Sequence, residues 1–279
     1  MSAFYNNALV GSSGQGGYTI ERSLRFRSSA SAYLNRTPAS AGNRKTWTWS
    51  GWVKRGKLSD SVLPRLFSAG ADSNNRTELI FLSTDELRFF SLVTGTNRGQ
   101  VDTVAKFRDS SAWYHILVSL DAVATTVSIY VNGVLQTTTV TNAVQNVDHM
   151  VNSTNTHRIA DYFGGTTPFD GYMTEINFID GQALDPSSFG EFDSVTGVWK
   201  PAKYTGTYGT NGFYLPFSDN TTTTTLAADA SSNGNNWTAN NISLTSGATY
   251  DSMTDTPTPY ADGGNYATWN FKRTKQHNR

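Results

Sequence analysis

Glycoside hydrolysis needs two carboxyl groups flanking one bond, an acid and a nucleophile or base, and this 279-residue chain offers few such pairs. The nearest is Glu175 with Asp180, in the run Glu-Ile-Asn-Phe-Ile-Asp. Side chains along a strand alternate between faces, so two acids five positions apart point to opposite sides of a regular strand. The four histidines, His115, His149, His157 and His277, form no H-E-x-x-H or other close pair, which removes the usual zinc patterns. His115 reads as a sheet residue with a satisfied hydrogen bond. Cysteine is absent, so thiolate ligands, disulfides and thiol nucleophiles are excluded together. The glycine cluster ending at Gly17 lacks the lysine and strand of a phosphate-binding loop, and there is no G-x-S-x-G. No enzymatic activity is expected, and no cofactor.

Binding chemistry is better supplied. Asp72, Asn74 and Asn75, or Asp161 with Asp170, are hard oxygen donors suited to calcium. The same residue types also make turns, which is the favoured reading of both groups. A saccharide site needs an aromatic platform flanked by amides or carboxylates, and Trp237, Tyr162 and Tyr208 could provide one. Core packing or subunit contact is the alternative for each. Six N-x-S/T sequons would matter only in a secreted eukaryotic chain, and no signal peptide is evident. With 22 basic and 22 acidic residues, electrostatics makes no case for nucleic acid or an anionic membrane as partner. No apolar run reaches the roughly 18 residues of a membrane span, so membrane insertion is not expected.

The elements that must position these residues read as strands. Asn, Thr, Ser and Gly dominate the polar part and 13% of residues are aromatic, a mixture that suits short strands and turns. From Thr46 the alternation puts Trp47, Trp49 and Val53 on a core face and Thr48, Ser50 and Trp52 on the other. Leu79 to Leu82 should pair with Leu87 to Phe90 across residues 83–86. Tyr114, Ile116, Val118 and Leu120 give a central strand one fully apolar face. Val127, Ile129 and Val131 lead into Asn132-Gly133, the dipeptide of a tight type I′ hairpin turn. Asp185-Pro186 starts one helical turn that Gly190 ends. Phe213, Leu215 and Phe217 share a strand face, and Pro216 marks that strand as a sheet edge. Thr221 to Thr225 reads as a low-complexity loop.

SLRF at 23–26, WSGWV at 49–53, WYH at 113–115, IYVNG at 129–133 and FDGYM at 169–173, in that order, resemble the laminin-G/concanavalin A-like superfamily. The resemblance implies an all-β fold: a two-sheet antiparallel jelly-roll sandwich with a turn-rich C-terminal extension. In such sandwiches loop oxygens often hold calcium. A second resemblance covers nearly the whole chain. NRTPASAGNR at 35–44, GTYGTNGFYL at 206–215, GNNWTANNIS at 234–243 and YDSMTDTPT at 250–258 are similar to segments of lectin-like structural proteins of marine and cyanobacterial bacteriophages.

The resulting division is an N-terminal arm at 1–22, a sandwich at 23–190 and an extension at 191–279 that completes or flanks it. The expected function, implied by the second resemblance, is that of a virion structural protein: a tail-fibre, tail-appendage or head-decorating component. Its partners would be copies of itself and other virion proteins. Tyr5, Leu9 and Val10 of a glycine-rich arm and Lys272 and Arg273 of a basic tail are the candidate assembly residues. The alternative is a lectin-like receptor module for host-surface polysaccharide. An endoglycanase is the third and weakest reading.

Overall fold

A computed structural model describes residues 18–194 and 196–258. The strands follow the period-two alternation of the sequence. In chain order they are β1 (Ser23–Phe26), β2 (Tyr33–Arg36), β3 (Thr46–Arg55), β4 (Arg65–Asp72), β5 (Asn75–Phe81), β6 (Leu87–Val93), β7 (Thr96–Thr103), β8 (Tyr114–Asp121) and β9 (Thr126–Val131). The remainder are β10 (Val134–Leu135), β11 (Thr138–Asn142), β12 (Thr156–Ile159), β13 (Gly171–Asp180), β14 (Gly190–Phe192), β15 (Trp199–Pro201), β16 (Phe213–Leu215), β17 (Thr238–Asn240) and β18 (Ser252–Met253). One large sheet runs β10-β9-β8-β3-β13-β1-β18, with β16 also on β13; the second runs β11-β7-β6-β5-β4-β12-β2-β17. A separate ribbon joins β14 to β15. The fold is therefore all-β, built on two large antiparallel sheets. Strands β16, β17 and β18, from beyond residue 190, pair with β13, β2 and β1.

The core lies between the sheets. Trp47 and Trp49 of β3 are fully buried, on the face the alternation assigns them. Trp47 and Phe178 from the first sheet meet Phe89 and Phe67 from the second, with ring centroids 5.8–6.3 Å apart. Burying aromatics of this size supplies most of the packing area in a sandwich of short strands. The hairpin at Asn132-Gly133 forms as expected, with Val131 opposite Val134 and both turn residues at positive φ, 48° and 77°. Ile129 and Val131 are buried in the core and Val127 packs on its edge. A Cβ on Gly133 would also sit 2.3 Å from the Trp199 ring. Gly133→Val is therefore expected to cost at least about 2 kcal/mol through turn strain and overpacking together, read as a lower urea midpoint. A cost under about 0.5 kcal/mol would mean that the turn tolerates a side chain.

Two local expectations meet different fates. Asp185 caps the single turn Pro186–Ser188 by accepting from Ser187 N. Thr221 to Thr225, expected as loop, instead enters a short helix, Thr223–Leu226. The reason is a capping box: the Thr222 hydroxyl accepts from Thr225 N while Thr225 Oγ1 serves Thr222 N, and Leu226 is buried. Among the described residues no helix is long and apolar enough to cross a membrane.

The segments that carry the second resemblance make polar contacts at two places along β13, one at Asp180 and one beside β1. Asp180 accepts from Asn43 N (2.7 Å), Asn152 Nδ2 (2.9 Å) and Asn211 N (2.9 Å). Arg36 reaches Asn235, and Asn235 Nδ2 donates to the carbonyls of Thr210 and Gly212. In 250–258, Asp251 pairs with Arg25 and Arg27, and Asp255 with Lys54. These residues fasten the C-terminal extension to the sandwich, and buried polar groups that are satisfied in this way hold a unique arrangement.

Candidate functional site

The most chemically loaded position is a break in the first sheet. Along β13, residues Gly171 to Met173 pair with β1, whereas Ile176 to Phe178 pair with β16. Between these two partners the register against β3 slips, from Thr174 opposite Trp52 to Asn177 opposite Ser50. The extra residue is a bulge, and Glu175 within it has φ of +51°, costly for a residue with a Cβ. Pro216, with no amide hydrogen, follows the last residue of β16 and cannot continue its ladder. A cavity of about 350 Å³ opens at the break, between Tyr18, Thr19 and Glu21 on one side and Tyr214, Pro216 and Ser218 on the other. Glu175 and Lys203 complete its lining.

Glu175 is 7% exposed. Its Oε2 lies 2.5 Å from Tyr18 Oη and 2.8 Å from Tyr214 Oη, and its Oε1 2.9 Å from Tyr214 Oη. The two phenol oxygens are 2.7 Å apart. Burial pushes the Glu175 carboxyl up to about 7, outweighing the downward pull of the two tyrosine hydrogen bonds and of Lys203. Burial, followed by the charge of Glu175, raises both Tyr18 and Tyr214. The wall continues as an aromatic series over the outer face of the sheet: Tyr214 stacks on Tyr208, Tyr208 meets Tyr204 edge-on, and Tyr204 stacks on Phe189. A strained bulge, a carboxyl shifted toward neutrality and an open cavity coincide here, the combination that marks binding or catalytic sites.

Of the aromatics singled out in the sequence, only Tyr208 belongs to this neighbourhood. It is half-buried and donates to Asn177 Oδ1 at 2.9 Å, holding the strand beside the bulge. Trp237 corrects an expectation: it is 4% exposed and packed between Phe213 and Phe67 in the core, so it presents no face to a ligand. Its loop leads into β17 at the edge of the second sheet, which turns the indole inward. Tyr162 lies half-buried against Phe163, with the Arg65 guanidinium 5.2 Å from its ring centre.

Asp72 accepts from Asn74 N and Asn75 Nδ2, so its carboxylate closes the β4–β5 turn. Asp161 is taken by Arg158, Tyr162 N and Thr167 N, and Asp170 by Ser28. Among the described residues no three His, Asp or Glu gather as a metal site. Tyr5, Leu9, Val10, Lys272, Arg273 and His277 lie outside the described residues. Glu175 and Asp180 join separate networks, Glu175 with tyrosines and Asp180 with amides. Sequence reasoning missed Tyr18 and Tyr214 because only the strand break brings them to Glu175.

Residues 28–188 match the family model of the concanavalin A-like lectin/glucanases superfamily, of laminin-G type, and the chain belongs to that superfamily. Among curated proteins none matches it. A Bacteroides ovatus protein with a provisional carbohydrate-binding name shares the fold at 15% identity and a TM-score of 0.54, over 80% of this chain and 59% of its own. The present chain thus spans little more than half the length of that neighbour. A heptameric SAP-like pentraxin from Limulus polyphemus is similar at 18% identity and a TM-score of 0.43, over 60% of this chain and 80% of its own. A Ruminococcus gnavus sialidase module, CBM40, bound to α2,3 sialyllactose, is similar at 14% identity and a TM-score of 0.37, over 57% of this chain and 88% of its own.

Proposed function

We propose that this protein is a lectin-like, non-catalytic saccharide-binding protein whose site is the Glu175 cavity, and that it works on the surface of a bacteriophage particle. The observation that carries the binding reading is the cavity itself, where two tyrosines and a buried carboxyl converge at a break in the sheet. Saccharides are held by such combinations of aromatic faces and hydrogen-bonding groups. The superfamily's lectins and the provisional name of the Bacteroides neighbour agree with it. The virion setting rests on the four sequence segments similar to phage structural proteins.

A glycan array probed with the whole chain is expected to return specific oligosaccharides. Ser218 is exposed at the cavity mouth, so Ser218→Trp should block entry without disturbing the core and lower affinity more than about tenfold, roughly 1.4 kcal/mol. Unchanged binding by this variant would move the site elsewhere. No reducing ends should appear on incubation with the bound polysaccharide, and their release would make the protein a glycanase. Immunogold labelling of particles tests the virion setting.

Self-association is a second reading, favoured by the flank where β10 and β11 form the edges of the two sheets. Val134, Leu135 and Val140 there are each more than half exposed. Edge strands with apolar side chains pair readily with a like strand, so a second copy is the partner this flank fits. Light scattering of the wild-type chain against Leu135→Asp/Val140→Asp distinguishes an oligomer from a monomer.

A further inference from the structure

Glu175 is buried, yet among the described residues no lysine, arginine or histidine forms an ion pair with it. Acids taken out of water are ordinarily paired with a cation or kept neutral. The groups that face it are Tyr18 from the segment before β1, Tyr214 from β16, Tyr208 and exposed Lys203 from the connection, Glu21 at the rim and His115 from β8. His115 shares a water-sized space with Glu175, and burial holds its imidazole down to about 3, so it is neutral.

Proton counting sharpens the point. Tyr18, Tyr214 and the carboxyl make mutual oxygen contacts of 2.5–2.9 Å along all three sides of a triangle. Two phenols supply two protons. If Glu175 is ionised, one short contact has no hydrogen, and two lone pairs face each other. If Glu175 is protonated, each of the three groups donates once and accepts once. A protonated Glu175 therefore satisfies every contact of the cluster, at the border of an open cavity that Glu21 and Lys203 also line.

We infer that the cavity's ligand is an amino sugar, whose ammonium supplies the cation that Glu175 lacks. This rests on the saccharide-binding reading and names the ligand class of the same site. On binding, the ligand remains –NH3⁺, Glu175 passes from –COOH to –COO⁻, and the released proton goes to solvent. The one bond broken is the O–H of the Glu175 carboxyl, whose proton is taken up by water or buffer; the sugar itself is chemically unchanged. Uronic acids and other acidic sugars bring no cation to Glu175 and are expected to bind more weakly than the amino sugar.

Calorimetry with hexamers of glucosamine, N-acetylglucosamine, glucose and glucuronate tests this. Glucosamine hexamer should bind about 10- to 100-fold tighter than its neutral counterparts. At pH 6, titrations in buffers of different ionisation enthalpy should give about one proton released per ligand. Affinity should rise with pH from 5 toward 7 as Glu175 ionises more readily, and fall again at higher pH as the sugar's own ammonium loses its proton. In Glu175→Gln, whose amide keeps the shape, proton release should vanish and the pH dependence should flatten; a thermal melt confirms folding. Neutral hexamers that bind as tightly without proton release would overturn the amino-sugar assignment and leave the saccharide reading standing. Absence of binding to any hexamer or any array glycan would overturn both.

Discussion

Lowering the pH from 7 to 4 is expected to unfold this protein, with three buried histidines as the cause. His115, His149 and His157 are 1%, 0% and 5% exposed, and burial depresses them from 6.5 to about 3, about 4 and about 4. Their hydrogen bonds suit neutral rings. Asn152 N donates to His157 Nε2 at 2.9 Å while Nδ1 faces the Asn155 carbonyl, so a second ring proton would confront the Asn152 amide. Ser91 Oγ and the Gln145 carbonyl lie against the two nitrogens of His149, whose burial is what opposes its charge. Below pH 6.5 the unfolded chain binds protons that the folded chain refuses, so stability is full above that value and is lost as pH falls toward 4.

At 1.36 kcal/mol per unit, the three shifts amount to on the order of 10 kcal/mol at the acid end. Glu175 acts in the opposite sense. Its folded value is raised to about 7 from 4.5, so its contribution is complete below 4.5 and lost as pH rises through 7. That opposing contribution is on the order of 3 kcal/mol, and the histidines prevail. Against a typical domain stability of about 5–15 kcal/mol, the net loss removes most of the reserve. Urea midpoints measured from pH 8 to 4 should fall steeply below 6.5, less steeply in His157→Gln and more steeply in Glu175→Gln. A wild-type midpoint that stays level from pH 6.5 to 4.5 would show that the rings titrate freely.

The second large effect is expected at Asp85→Ala. Asp85 lies in the turn between β5 and β6, read in the sequence only as a polar hairpin connection, and its side chain is fully buried. Arg55 Nη2 is 3.0 Å from Oδ1, Arg108 Nε donates to Oδ2 at 2.9 Å, and Ser59 donates from both N and Oγ. Burial alone would raise the carboxyl, but these partners hold it down to about 2. Arg55 is equally buried, lying over the Phe81 ring and donating to the Phe107 carbonyl. Removing Asp85 takes away the carboxylate in direct contact with its guanidinium, at a cost of about 3–5 kcal/mol. For a domain of this size the melting temperature should fall by roughly 10 °C or more. The double variant Arg55→Met/Asp85→Leu should recover much of the loss, because an apolar pair needs no mutual charge. A change below about 1 kcal/mol in Asp85→Ala would mean that water reaches Arg55.

The sequence by itself determined what depends on neighbours along the chain. Alternation in Thr46–Arg55 set Trp47 and Trp49 inward, because a strand's side-chain period is two whatever packs against it. Asn132-Gly133 specified its hairpin because both residues accept positive φ. The Thr222–Thr225 capping box was equally local, and its signal was hidden only by the monotony of the threonine run. Tertiary structure decided the rest. Trp237 looked like any loop aromatic until β17 joined the edge of the second sheet and swung it into the core. Asp85 looked like a turn residue until Arg55, 30 positions earlier, came beneath it. Glu175 depended most on the fold. Its side depends on a bulge, and the bulge arises where β13 exchanges β1 for β16, strands that begin at Ser23 and Phe213. A local pattern cannot encode that exchange, since pairing partners are selected by the closing of the whole sheet. The cavity and the tyrosines around Glu175 come together only once that sheet has closed.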